Sequence, residues 1–191
     1  MKLNKLIGLC SEWSNKRNII KGSTAIDQYL KMHTESGELA ENILKKRCVK
    51  DDIGDILVCL NNVHLQVTGK DLRHLVESNT KIRLTNSVGE NISIKETCIY
   101  LTNDISNLGI KLLEKASINN AVAQIKVTLY ELCSQLETSL SECLEAAYVD
   151  IKDRKGVMYN GAFIKSTDKA YKDILKKIKA PTMAANGNII K

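Results

Sequence analysis

Apolar side chains recur every three or four residues along almost the whole chain, and its single proline, Pro181, lies close to the C-terminus. That spacing puts apolar groups on one face of an α-helix, and the lack of internal proline leaves long helices unbroken. A many-stranded sandwich needs frequent turn residues, and ten glycines with one proline in 191 residues do not supply them. Aromatic residues make up only 4% of the chain, so a core must come from Leu, Ile, Val and Ala. We therefore expect an all-α helical bundle.

No apolar run approaches the roughly 20 residues that cross a bilayer, so no membrane partner is expected. The opening MKLNKLIGLCSEW lacks the layout of a signal peptide, which points to a cytoplasmic location. Six cysteines form no CxxC pair and read as reduced thiols, with Cys59, Cys98 and Cys133 in apolar surroundings. A net charge of +6 admits phosphate-bearing ligands; without an aromatic-rich platform, no nucleic-acid partner is expected.

The pattern predicts a first helix over residues 3–20 and, after Gly22-Ser23-Thr24, a second over 25–46. A third begins near Lys50, and a short fourth runs to about Arg83. Polar residues 84–92 read as a linker. Helices resume over 93–115 and 119–136, and Ser139 with Glu142 forms a capping box for a last one to about Asp153. Residues 154–168 hold two glycines and suggest a structured loop with a short hairpin; residues 178–191 read as a frayed tail. Sliding the chain by roughly seventy residues aligns Leu39 with Leu108 and Leu72 with Leu140. We read this as a tandem duplication: residues 1–83 and 93–168 are two helical halves of one compact unit.

The chemistry concentrates in two acidic pairs. Glu35 and Glu38 share a helix face, as do Asp52 and Asp55 on the next helix. The turn near residues 47–50 is short, so these helices should be antiparallel. Glu38 lies about ten residues before the turn and Asp55 about seven after it, which at about 1.5 Å per residue sets the pairs at nearly one level. Four facing carboxylates repel one another unless a cation intervenes, and oxygen-only donors favour Mg²⁺, or Mn²⁺, over zinc. Gly37 and Gly54, beside the acids, suggest close approach of a helix or ligand. Asp51 reads as a surface acid; Glu41 is open.

Glu35-Ser-Gly-Glu38-Leu-Ala-Glu41 followed by Asp52-Ile-Gly-Asp55-Ile-Leu-Val resembles the ExxE…ExxD signature of the all-α nucleoside triphosphate pyrophosphohydrolases, the MazG-like superfamily. Trp13 with Arg17-Asn18-Ile19, and the closing segment from Ile151 through Arg154-Lys155-Gly156 to Asn160-Gly161 and Phe163-Ile-Lys165, are similar to phage-type members. The chain departs from the pattern at Asp52, where that superfamily carries Glu.

The resemblance implies a helical bundle of MazG-like type that cleaves a (d)NTP to the monophosphate and pyrophosphate. It implies Mg²⁺ held by Glu35, Glu38, Asp52 and Asp55, with Glu38 or Glu35 taking the proton of the attacking water, and a homodimer. If the chain is phage-encoded, it would act in the host cytoplasm. For the phosphates, Lys152, Arg154, Lys155 and Lys165 are the basic cluster, with Arg17 and Lys31 on the helices beside the acids. Trp13, Tyr148 and Phe163 can stack on a base. Under the repeat, Glu35 and Glu38 fall near Asp104 and Asn107, so the second half lacks the acidic set and the pocket is expected between halves or between chains. Other readings are a dUTP- or dCTP-selective hydrolase of the same kind, a helical nucleic-acid binder, and a catalytically silent interaction protein.

Overall fold

A computed structural model of the chain describes residues 1–76 and 92–179. The rest of the short fourth helix beyond Val76, the linker up to residue 91 and most of the predicted tail lie outside these residues. The fold is an all-α bundle: α1 (Leu3–Lys16), α2 (Ile19–Gly22), α3 (Ala25–Leu44), α4 (Lys50–Thr68), α5 (Arg73–Val76), α6 (Ile94–Leu113), α7 (Asn119–Gln135), α8 (Leu140–Ile151) and α9 (Tyr171–Lys179), with one antiparallel hairpin of β1 (Gly156–Tyr159) and β2 (Ala162–Lys165). No helix among the described residues is long and apolar enough to cross a membrane.

The predicted helix over residues 3–20 is two helices. Asn18 adopts φ 58°, a left-handed conformation that asparagine tolerates, and turns the chain before α2. α3 opens on a capping box: Thr24 accepts from the Asp27 N–H, and the Asp27 carboxylate accepts from the Thr24 N–H at 2.7 Å. The box foreseen at Ser139 and Glu142 is present, and α9 adds a terminal helix that the sequence reading did not resolve.

α4 is the central element, with α3 packed on one side and α8 on another. Its residues Ile53, Ile56, Leu60 and Val63 are fully buried and join Met32 and Leu39 of α3 and Leu144 and Ala147 of α8 in the core. Gly54 makes the approach of α8 feasible, because a Cβ there would overlap the Cys143 carbonyl oxygen. Gly37 faces open space, so the expected close approach holds for Gly54 and not for Gly37.

The α6–α7 hairpin repeats the α3–α4 hairpin at one constant offset. Capping boxes begin at Thr24 and Ser93, the turns use left-handed Lys46 (φ 54°) and Lys115 (φ 53°), and the second helices start at Lys50 and Asn119. At the same offset Asp104 stands for Glu35, Asn107 for Glu38 and Gln124 for Asp55. Asp104 is buried and accepts a 2.6 Å hydrogen bond from Thr128. The second hairpin thus spends its one remaining acid of this set on an internal contact.

Candidate functional site

A cavity of about 510 Å³ runs between α3 and α4 and is closed by α1, α2, α8 and the hairpin. This volume falls in the range of small-molecule sites. α3 contributes Asp27, Gln28, Lys31, Glu35 and Glu38, and α4 contributes Asp51, Asp55, Val58, Cys59 and Asn62. Each set follows one helical stripe, because steps of three, four and seven residues return to the same face. The helices run antiparallel, so Glu38 and Asp51 lie toward the connecting turn and Gln28 and Asn62 lie at the far end. Four of the five lining carboxylates therefore lie toward the turn side of the amides; the fifth, Asp27, lies beside Gln28 at the far end, engaged in the capping box of α3. Asp51 and Asn62 are eleven residues apart on α4, or about 16 Å along its axis.

The roof is held by main-chain hydrogen bonds. The Met158 N–H donates to the Arg17 carbonyl at 2.8 Å, and the Gly161 N–H to the Gly22 carbonyl at 2.9 Å. Asn18 Nδ2 donates to the Met158 carbonyl at 2.9 Å. A Cβ on Gly22 would overlap that same carbonyl, so glycine is required there. The docked hairpin sets Phe163 near-parallel to Trp13, with ring centroids 6.4 Å apart and an interplanar angle of 19°.

At the acidic end, burial and then the fields of Glu35 and Asp51 push the Asp55 carboxyl up to about 7. Asp51 is also raised, by partial burial and by Asp150 and Glu35. Glu35 is 4% exposed and pairs with Lys31. Burial pulls the Lys31 ammonium down, but its bond to Glu35 and the nearby Glu38 hold it above its ordinary value. Arg154 lines the cavity and pairs with Asp150 on α8. Five lining carboxylates thus face two cationic side chains. Among the described residues, no group of three or more His, Cys, Asp or Glu side chains is gathered closely enough to hold a metal ion.

The structure brings together Glu35, Glu38, Asp55, Lys31, Arg154 and Trp13. Asp52 is turned off the cavity: it is buried, and Asn42 Nδ2 donates to both of its oxygens at 2.9 and 3.2 Å. Asp51, one residue earlier, occupies the lining instead. Lys152, Lys155 and Lys165 also lie off the cavity; all three are exposed, and Lys152 sits 3.9 Å from Asp153. Lys155 precedes β1, and Lys165 ends β2 opposite Gly156. Arg17 is held at the roof by its carbonyl, and its buried Nε has no hydrogen-bond partner. Tyr148 packs against the core. No residue of α6 or α7 lines the cavity; its floor comes from the first half and its cover, Ile151, Arg154, Met158, Gly161 and Phe163, from the second, so residues of both halves line it.

Gln28 and Asn62 were missed from the sequence. Their signal was polarity on the inner stripe of otherwise apolar helices: Gln28 is 6% and Asn62 2% exposed. No family model matches the chain, and no solved structure matches it. A curated relative, the "Uncharacterized 18.2 kDa protein in rep-hol intergenic region" of Haemophilus phage HP1 (strain HP1c1), is 35% identical over 60 residues, covering 30% of this chain and 37% of that protein. The match thus spans little more than a third of the relative's length.

Proposed function

We propose that the chain is a Mg²⁺-dependent nucleoside triphosphate pyrophosphohydrolase, cleaving a (d)NTP into the monophosphate and pyrophosphate. The observation that carries this is the make-up of the cavity: a cluster of acids suited to metal and phosphate shares one chamber with two aromatic rings and two amides suited to a planar heterocycle. The donors are of the chemical type a hard divalent cation takes, and from the spacing found here they would have to draw together to share one. Their oxygens are carboxylate, and burial together with the negative fields of Glu35 and Asp51 raises the Asp55 carboxyl, a strain that a bound cation would relieve. Glu35, Glu38 and Asp55 would hold it, with Asp51 as the fourth donor and Asp52 braced behind by Asn42. Ligation requires Glu35 to leave Lys31.

A bound Mg²⁺ would neutralise phosphate charge and favour ionisation of a bound water. Water attacks the α-phosphorus, the α–β anhydride bond breaks, and pyrophosphate leaves. Glu38, exposed at the cavity edge, accepts the proton of the attacking water. Lys31, released from Glu35, and Arg154 contact the leaving phosphates.

The test is a panel of ribo- and deoxynucleoside triphosphates with Mg²⁺, scored for pyrophosphate release. Glu38→Gln and Asp55→Asn should each lower turnover by about 10³-fold while circular dichroism is unchanged. Undiminished turnover in both variants would remove these acids from the mechanism.

A further inference from the structure

The cavity ends, opposite Glu38 and Asp51, in a polar chain whose hydrogen-bond directions are fixed. Ser23 Oγ donates its single proton to the Ile19 carbonyl at 2.7 Å. Toward any other neighbour this hydroxyl can only accept. Gln28 therefore turns its Nε2 to Ser23, donating at 3.1 Å, and must point Oε1 the other way. Asn62 Nδ2 donates to that Oε1 at 2.9 Å. A flipped Asn62 would set oxygen against oxygen, so Oδ1 is held away from Gln28. Gln66 Nε2 anchors the start of the chain, donating to the Ser23 carbonyl at 2.8 Å and the Ile20 carbonyl at 3.2 Å.

Asn62 is 2% exposed and lines the cavity, yet its Oδ1 is buried without a hydrogen-bond partner. A buried acceptor left unmatched costs about 1–3 kcal/mol, a cost that a ligand donor removes. The flat faces of Trp13 and Phe163 line the same cavity.

We propose that this end is a nucleobase subsite in which Asn62 Oδ1 accepts a ring N–H or exocyclic amino N–H of the base, making Asn62 a specificity-determining residue. The assignment rests on the nucleotide reading of the cavity, and it names the part of the ligand that is recognised. The selected chemistry is an N–H on the base edge. A base alkylated at that nitrogen is rejected, because it leaves Oδ1 unpaired and adds a methyl group against it.

The experiment is calorimetric titration of the whole chain with the nucleoside monophosphates, followed by N-methylated counterparts of the tightest binder that lack its edge N–H. Binding should weaken at least about 10-fold on methylation in the natural protein, and Asn62→Leu should bind both forms equally weakly. Because Asn62 is buried and its replacement can disturb folding, the methylated ligand on the unaltered protein is the deciding arm. Equal binding of methylated and unmethylated bases overturns the subsite, as does absence of any nucleotide binding. Pyrophosphate release that ignores the base overturns the subsite and leaves the hydrolase reading standing. N–H-dependent binding without pyrophosphate release supports the subsite and defeats the hydrolase.

Discussion

Replacing Asp55 with Asn keeps the side chain's shape and removes its titration, and it should stabilise the metal-free protein more at alkaline than at mildly acid pH. The folded chain raises this carboxyl from 3.8 to about 7, through burial first and then Glu35 and Asp51. Between those values the native state retains a proton that the unfolded chain has released, so stability falls as pH rises from about 4 to about 7 and then levels. Integrated from about pH 5.5 to about pH 8.5, the effect is about 2 kcal/mol. Asp55 is partly open to solvent, which screens the interaction and leaves about 1 kcal/mol as the expected share. Urea unfolding of both proteins with a chelator, at the two pH values, reads it directly: the gain in Asp55→Asn should be about 1 kcal/mol larger at the higher pH. An equal gain at both would mean that the folded protein does not hold this carboxyl neutral, and the repulsion argument would fail.

Gly54→Ala should cost about 2 kcal/mol or more, because the added methyl meets the Cys143 carbonyl and forces α4 from α8; a loss under about 0.5 kcal/mol in urea would refute that packing. Trp13 is the chain's single tryptophan and lines the cavity, so a nucleotide seated there should change its fluorescence with a saturable dose dependence; an unchanged spectrum at ligand concentrations that calorimetry shows to bind would place the ligand elsewhere. Saturating Mg²⁺ should raise Tm by about 2–4 °C near neutral pH, and less in Glu38→Gln; equal shifts in the two proteins would put the ion outside this cavity.

The helical architecture was legible because apolar spacing and capping chemistry agree over long stretches. Ser139 with Glu142 announced the start of α8, and Gly54 announced a close approach. Local chemistry was harder to orient. Asp51 and Asp52 are adjacent, and both have helix spacing to Asp55, four residues and three. Which one faces inward depends on where Asn42 of α3 comes to rest, and that contact is tertiary. The basic residues near the C-terminus were read as one cluster from their proximity along the chain. The fold separates them: Arg154 lines the cavity, and Lys155 and Lys165 are exposed and do not. Asn18 shows the opposite difficulty: an asparagine inside an apolar repeat gives little warning of a left-handed turn, yet that turn sets up the α2 corner on which the roof docks.

The roof has a temporal consequence. Its bonds join Arg17 and Gly22 to Met158 and Gly161, so the ligand chamber is sealed by residues from both ends of the described chain. During synthesis on the ribosome, the helical hairpin bearing the acids emerges long before its cover. At about 5–20 residues per second, the chamber stays open for about 5–20 seconds after its floor has appeared. The capped α3–α4 hairpin must therefore keep its inner face soluble on its own until the last strands arrive, and a polar stripe ending in amides and carboxylates suits that interval.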